Sequence, residues 1–297
     1  MRLAITEFGG IAPRFPDIQL KVPFAIDAAN WTMERAQLRA FNAPSARCTA
    51  APPSTIATNA FTMFRYKPAN FEYLLTFPER TYCIQNPLPS DTYKRVYWLG
   101  SSGVIRYGSM ADVLAGSGPY PATNSGFILG VPAPVARPTL VRVPYNAEVV
   151  DPETTDGKIP SYRVVTYSWV SQFNEFSGMY APSDGSALES VKLYEGDRIT
   201  VSGLGTAPSG NYAMGSGARK ALFCSDSNGN WRLVAYLPLS TTEYTFDPFS
   251  MDTAPVASNA LYETPPAGLD GIVLSPFGFM YGWKDNTLCV SDILMFH

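Results

Sequence analysis

Residues 161–183 carry the sequence SYRVVTYSWVSQFNEFSGMYAPS, which predicts one long β-strand, a polar corner at Asn174-Glu175 and a Pro/Ser-rich exit. A second unit, ARKALFCSDSNGNWRLVAYLPLSTTEYTF, follows at residues 218–246 and predicts further strands joined by a turn. Roughly seven short strands are expected between residues 139 and 250, which is typical of an immunoglobulin- or fibronectin-like β-sandwich. Neither unit contains a recognisable catalytic motif.

Local patterns within this region support the strand assignment. The segment RITVSGL (198–204) alternates apolar Ile199 and Val201 with polar residues, the pattern of a half-buried strand. Asn228-Gly229 predicts a tight hairpin, in which both residues would supply positive φ values. The same stretch, DSNGN, also has a partial likeness to a calcium loop, but it lacks the carboxylate run and final Glu of an EF-hand. We therefore favour the hairpin.

Short strands also recur in the first part of the chain, at a spacing of about ten residues that favours an antiparallel meander. The candidates are FTMFRY (61–66), FEYLLTF (71–77), TYCIQ (81–85) and KRVYWLG (94–100). Before them, loosely helix-spaced apolar residues predict a short helix over residues 24–38. Arg35 and Arg39 would share one face of that helix, either solvated or in contact with an acidic neighbouring subunit.

The expected fold is all-β, with an N-terminal β-meander, an immunoglobulin- or fibronectin-like β-sandwich and little helix. Residues 116–138 contain five prolines and four glycines and are interpreted as a linker. The predicted organisation is a β-rich domain (1–115), the linker (116–138), the sandwich (139–250) and a C-terminal extension (251–297). Two strands are expected in the extension, GIVLSP (271–276) and TLCVSD (287–292).

Composition limits the classes of partner. Charged residues make up 16% of the 297-residue chain and aromatic residues 13%, whereas about 25% charge is usual. A surface poor in charge favours burial against protein partners, although aromatic residues are also common in strands. The net charge of −3 argues against binding that depends on neutralising duplex phosphates. The chain has no apolar run of membrane-spanning length and no signal-peptide core, so no membrane span is expected.

The residues that usually carry chemistry are sparse. The sole histidine is His297, and the four widely spaced cysteines, Cys48, Cys83, Cys224 and Cys289, form no CxxC pair and are expected to be free thiols. Paired carboxylates could hydrolyse polysaccharide, but the acids that we considered lie in predicted turns: Asp151, Glu153, Asp156, Asp184 and Asp226. We predict no catalytic, cofactor-binding or metal-binding residues, and we expect the protein not to be an enzyme.

Several fragments, in order along nearly the whole chain, resemble a family of bacteriophage virion proteins found in tails, especially short tails. These fragments are FGGIAPR (8–14), AIDAANW (25–31), KRVYWLGSSGVIRYGSM (94–110), LGVPAP (129–134), the two sandwich units quoted above, and GIVLSPFGFMYGWKDNTLCVSD (271–292). The hinge-like LGVPAP and the long strand with its Asn-Glu corner are the most specific. The last fragment is similar to the segment that begins the next region in longer members of the family.

The resemblance implies a structural subunit of a nozzle, hub or collar in the virion tail, assembled in the host cytoplasm. Such a subunit would form a ring, for which we expect a hexamer, around a channel through which DNA passes during genome ejection without sequence-specific binding. Other tail or portal-adaptor proteins would be its partners. The alternatives are a receptor- or carbohydrate-binding virion module and an enzyme acting on cell-wall polysaccharide. The residues that we expect at subunit contacts are Phe8, Pro13, Arg14, Arg35, Arg39, Ile293 and Phe296. The linker, residues 116–138, is a further expected contact segment.

Overall fold

The computed structural model of the chain describes residues 57–69, 72–122, 125–149, 152–251 and 253–291, and the backbone of four short strands between residues 10 and 40. The chain divides into two compact units, Met1–Thr49 and Ala50–His297. Small, mostly antiparallel sheets make up the regular structure, and the two helices among the described residues have four residues each. The all-β expectation is therefore confirmed. Within the described ranges, no helix has the length and apolarity needed to cross a membrane.

The first unit contains two pairs of strands. Strands β1 (Gly10–Ile11) and β2 (Phe24–Ala25) are parallel, and β3 (Trp31–Glu34) and β4 (Gln37–Ala40) form an antiparallel hairpin. The helix predicted over residues 24–38 is therefore wrong. Apolar residues alternate through these strands, and the register places Trp31 opposite Ala40 and Met33 opposite Leu38. The apolar residues of these strands therefore follow the two-residue period of a β-strand more closely than the loose helical spacing.

The second unit begins with the predicted strands of the meander. Strands β5 (Thr62–Tyr66) and β6 (Tyr73–Phe77) pair with each other. Strands β7 (Tyr82–Gln85), β8 (Val96–Leu99), β9 (Ile105–Gly108) and β10 (Phe127–Ile128) form an antiparallel sheet in the order β10-β9-β8-β7. Helix α1 (Met110–Val113) follows β9 and begins with a capping box between Ser109 and Asp112.

Strand β8, in the middle of this sheet, is buried on both faces. Its four residues are all buried: Val96 and Trp98 belong to an apolar cluster with β5 and β6, and Tyr97 and Leu99 belong to a second cluster on the opposite face. A strand with two buried faces needs a continuous apolar run instead of an alternating one, which is what VYWL provides.

Seven strands form the sandwich. They are β11 (Thr139–Val143), β12 (Ser161–Val170), β13 (Ser190–Leu193), β14 (Arg198–Ser202), β15 (Arg219–Ser225), β16 (Trp231–Pro238) and β17 (Tyr244–Phe246); helix α2 (Pro152–Thr155) lies between β11 and β12. A three-stranded sheet, β11-β14-β17, and a four-stranded sheet, β13-β12-β15-β16, share one apolar core. That core includes Tyr167, Ile199, Val201 and Leu222, each fully buried. The predicted alternation of Ile199 and Val201 is confirmed.

The C-terminal region forms a three-stranded sheet. Strands β18 (Gly271–Leu274), β19 (Met280–Lys284) and β20 (Thr287–Val290) pair antiparallel in that order. One face of this sheet, with Ile272 and Met280, packs into the cluster that also holds Tyr97 and Leu99 of β8. The two strands predicted here are present, and the segment between them contains β19 in addition.

Residues 116–138, predicted as a linker, contribute to three separate apolar clusters. Tyr120 packs with the β5–β6 hairpin, Leu129 with the cluster between β8 and the C-terminal sheet, and Val131 with the sandwich core. The carbonyl of Tyr120 accepts a hydrogen bond of 2.7 Å from the N–H of Thr76. The segment therefore joins the cores of the second unit, while the predicted domain boundaries at residues 115 and 138 stay predictions.

Candidate functional site

The polar corner after β12 is built by the side chain of Ser171. Its Oγ accepts hydrogen bonds from the N–H groups of Phe173 (3.1 Å) and Glu175 (3.2 Å), and its own N–H donates to the Glu175 carbonyl at 2.8 Å. Asn174 closes the turn with a φ of 63°, a left-handed conformation that Asn tolerates better than most residues. The corner directs Phe173 and Glu175 away from the sandwich.

Phe173 enters an aromatic cluster supplied by the meander. Its ring centroid lies 4.8 Å from that of Tyr93 and 5.8 Å from those of Tyr107 and Phe127, with edge-to-face geometry in each case. Such pairs contribute about 0.5–1.5 kcal/mol each beyond the area that they bury. The corner is thereby anchored in the neighbouring sheet.

Glu175 accompanies Phe173 into the interface, and its side chain is only 9% exposed. Its carboxylate accepts hydrogen bonds from the hydroxyls of Tyr107 (2.5 Å) and Ser171 (3.2 Å) and forms an ion pair with the guanidinium of Arg95. Arg95 immediately precedes β8, and Tyr107 lies in β9. The carboxylate of the sandwich corner is therefore bound by donors from two elements of the meander.

Arg95 also binds a second carboxylate. The Asp91 side chain, 2% exposed, accepts from the Nε of Arg95 at 3.2 Å, from the N–H groups of Tyr93 (3.1 Å) and Arg95 (2.8 Å), and from Asn86 Nδ2 at 2.8 Å. We call Asp91, Arg95, Tyr107, Ser171 and Glu175 the junction cluster. Its single guanidinium lies between two buried carboxylates, one from the meander and one from the sandwich.

The two carboxylates differ in acidity. Burial raises the pKa of Glu175, and the opposing effects of Arg95, Tyr107 and Ser171 do not overcome it. Burial acts in the same direction on Asp91, but the hydrogen bonds and charge of Arg95, together with the N–H of Tyr93, outweigh it and lower the pKa. Burial also raises the pKa of Tyr107, and the nearby Glu175 carboxylate adds to this. Both carboxylates accept hydrogen bonds from other groups of the same chain, as buried polar groups with a structural role usually do.

The loop after β15 is a five-residue hairpin connection built around Asp226. Its carboxylate accepts from the N–H groups of Asn228 (2.9 Å) and Asn230 (2.8 Å) and from the Nε of Arg232 (2.9 Å). Burial opposes ionisation of Asp226, yet these bonds lower its pKa to about 2. The expected hairpin is confirmed, with one correction: Gly229 has a φ of 81°, whereas Asn228 has a negative φ, because Asp226 holds its N–H in an Asx turn.

Two other acids considered from the sequence also have partners within the chain. Glu153 pairs with Lys192 and accepts from the Tyr194 hydroxyl at 2.7 Å, and Asp184 accepts from the N–H of Ser186 at 3.0 Å. In the described part of the chain, no three His, Cys, Asp or Glu side chains are grouped closely enough to hold a metal ion. Asp151 and His297 lie outside the described residues.

Three of the cysteines are free thiols, as expected. Cys224 is buried, and Cys83 and Cys289 are partly buried. Burial raises the pKa of the Cys83 and Cys224 thiols to about 12, so both are protonated and poorly nucleophilic at neutral pH. Cys48 lies outside the described residues.

The expected subunit-contact residues fall mainly where the structure gives no description. Phe8, Pro13, Arg14, Arg35, Ile293 and Phe296 lie outside the described residues, and Arg39 is described only as backbone in β4, opposite Thr32. The predicted helix face shared by Arg35 and Arg39 is wrong, because Arg39 lies in strand β4. Their role at a subunit contact stays a prediction.

An apolar surface that sequence reasoning did not identify lies on the C-terminal sheet. The register places six residues on its outer face, and none is charged: Gly271, Val273, Tyr281, Trp283, Leu288 and Val290. Val273 is 49% exposed, Leu288 63% and Val290 53%, whereas Tyr281 and Trp283 are half-buried and Gly271 is buried. The Trp283 ring packs against Tyr82, with 5.5 Å between the ring centroids. We call these six residues the outer apolar face. The sequence offered one signal for this face, the alternation of apolar and other residues in β20. Periodicity alone, however, does not say which face of a strand is buried.

A cleft lies beside the edge of the same sheet. Its volume is about 510 Å³, and its walls come from the inner face of the sheet, including Gly282 and Cys289, from residues 289–291 at the end of β20 and from residues 261–266. Leu129 and Met280 supply apolar surface, and Glu263 and Ser291 supply polar groups. Apolar recesses with a few polar groups suit ligands or extended peptide segments.

Searches for similar proteins gave no support for any family. No model of a known protein family matches the chain, and no curated protein matches it.

Proposed function

We propose that the chain is a structural subunit of a bacteriophage tail that forms a ring, with six copies expected, around a DNA channel. Contacts with further copies and with other tail or portal-adaptor proteins would carry this function, and no catalysis is required. The observation that carries the proposal is the outer apolar face. Monomeric proteins rarely leave contiguous apolar surface exposed unless it meets a partner.

The edge of β20 supports the same proposal. Among the described residues, β20 pairs only with β19, so its other edge is available for a strand from a partner. The cleft, which reaches this edge at residues 289–291 and has both apolar and polar walls, would accept side chains of an added strand. Ring closure needs two different surfaces that fit each other, and β20 would supply one of them.

The buried acidic side chains also favour a structural role. The carboxylates of Asp91, Glu175 and Asp226 are bound by donors of the chain itself, several of them backbone N–H groups. A general acid or nucleophile must instead reach a substrate. The resemblance of several motifs to tail proteins is the reason for proposing a bacteriophage tail. It also leads us to propose assembly in the host cytoplasm and a final location in the virion.

Substitution of the outer apolar face tests the proposal. The double variant Leu288→Asp/Val290→Asp should reduce assembly of the purified chain, alone or with its tail partners, because buried unpaired carboxylates are costly. Ile159→Asp is the control, since Ile159 is 86% exposed in a loop outside this face and outside the expected contact segments. Native mass spectrometry would measure the assembled fraction, and circular dichroism would check that each variant folds. Equal assembly of both variants would contradict the role of this face.

A receptor- or carbohydrate-binding module remains the alternative, and one observation favours it. Tyr162 in β12 is 63% exposed, and exposed aromatic rings stack on the apolar faces of sugars. A stable monomer that binds glycans, and that loses binding in Tyr162→Ala, would support this alternative over the ring.

A further inference from the structure

We propose that the junction cluster takes up one proton, on Glu175, and that this proton tightens the contact between the sandwich corner and the meander. The cluster would then act as a pH-sensitive clamp within the second unit. The ionisable groups that meet there are Asp91, Tyr93 and Arg95 from the loop before β8, Tyr97 from β8, Tyr107 from β9 and Glu175 from the corner, with Tyr66 of β5 close to Asp91.

The first argument is a charge count. Arg95 supplies one positive charge, and Asp91 and Glu175 supply two negative charges when both are ionised. Tyr97 and Tyr107 are neutral, because burial raises the pKa of each hydroxyl. The ionised cluster therefore buries one excess negative charge, which is costly away from water. One added proton makes the cluster neutral.

The second argument decides which carboxylate receives that proton. The donors to Asp91 are all N–H groups, from Asn86, Tyr93 and Arg95, and an N–H group cannot accept a proton in return. Two of the three donors to Glu175 are hydroxyls, from Tyr107 and Ser171. A hydroxyl can rotate and accept, so protonated Glu175 can donate to Tyr107, whereas protonated Asp91 would face only donors.

The sign of the effect follows from linkage. Burial makes the pKa of Glu175 higher in the folded protein than its ordinary value of 4.5. The folded state therefore holds the proton more tightly than the unfolded state does. The contribution of Glu175 to stability is fully present below pH 4.5 and is lost as the pH rises through the folded value. An opened junction would return Glu175 to water, so a rising pH also favours opening.

The test compares wild-type protein with Glu175→Gln, because Gln resembles the neutral carboxyl group but cannot ionise. Urea unfolding would be measured at pH 5 and pH 8. At each pH, the folding constant of the variant is divided by that of the wild type. We expect this ratio to be larger at pH 8 than at pH 5. The increase should be about tenfold for each unit by which the folded pKa of Glu175 is raised between pH 5 and pH 8. Glu189→Gln, at an exposed sandwich position, is the control and should give equal ratios at both pH values.

A second measurement on the wild-type protein keeps the proposal testable if the variant does not fold. Carboxyl carbon NMR would titrate Glu175. We expect its midpoint to lie above 4.5, the ordinary value for a Glu carboxyl group. A Glu175 midpoint at or below 4.5, or a folding-constant ratio that is constant or falls between pH 5 and pH 8, would overturn the proposal.

Discussion

At the scale of single residues, the corner after β12 is held both by contacts between neighbouring residues and by a contact with a residue far away in the sequence. Ser171 and Asn174 shape the turn through contacts within five residues, and the sequence marks this polar corner directly. The partner of Glu175 could not be predicted, because Arg95 lies 80 residues earlier in the chain. Short-range patterns carry no information about which distant cation will meet a carboxylate.

Phe173 should be the residue of the corner on which stability depends most. Phe173→Ala removes a ring that is 9% exposed among Tyr93, Tyr107 and Phe127. We expect a loss of about 3–5 kcal/mol in the free energy of unfolding, the usual cost of emptying a buried Phe site. Phe277→Ala is the control, because Phe277 is 79% exposed. Similar losses from the two variants in urea unfolding would contradict the anchoring role of Phe173.

Asp226 should make stability depend on pH in the acidic range. Its folded pKa, about 2, lies below the ordinary value of 3.8. Its contribution is therefore present above pH 3.8 and is lost as the pH falls towards 2. We expect Asp226→Asn to lower the melting temperature at pH 6 and to lower it less at pH 3. A difference from wild type that does not shrink on acidification would contradict the hydrogen-bonded loop.

At the scale of elements, strands were predictable where their patterns were unambiguous. The four meander strands, β12 and the alternating β14 follow from runs of apolar or alternating residues. Strand β19 was missed because Gly278 and Gly282 resemble turn residues. Gly282 is instead a packing residue, since a Cβ there would lie 3.1 Å from Leu269. The helix predicted near β3 and β4 failed because its spacing was also compatible with strands.

The pairing of β18 with β19 should depend on Gly271. The register places Gly271 opposite Trp283, and the indole ring occupies the space that a Cβ at residue 271 would need. We expect Gly271→Val to cost about 1–3 kcal/mol in the free energy of unfolding, as overpacking usually does. Val273→Ala in the same strand, at a site 49% exposed, should cost less. An equal or smaller loss for Gly271→Val in urea unfolding would contradict this packing.

At the scale of the whole molecule, the sequence predicted the class of fold better than the way its parts are joined. Residues 116–138 have the composition of a linker, yet three of their residues lie in three different apolar clusters. Many prolines and glycines indicate that a segment does not form a regular helix or a central strand. They do not indicate whether the segment is buried. The outer apolar face became recognisable only when the register, together with the burial of each residue, showed which side of β20 is exposed.

Assembly should also depend on the end of the chain. Removal of residues 293–297 should weaken ring formation, because this removes the apolar sequence ILMF, which follows β20 along the chain. Native mass spectrometry of the truncated chain, with the full chain as its control, measures the effect. Unchanged rings would exclude these residues from the subunit contact.

The most direct test of the proposed function is the mass and symmetry of the purified full chain, by native mass spectrometry and negative-stain microscopy. We predict a closed ring, of six copies as expected, formed either by the chain alone or after its tail neighbours are added. A stable monomer that ignores those neighbours and binds or cleaves glycans would contradict the structural role.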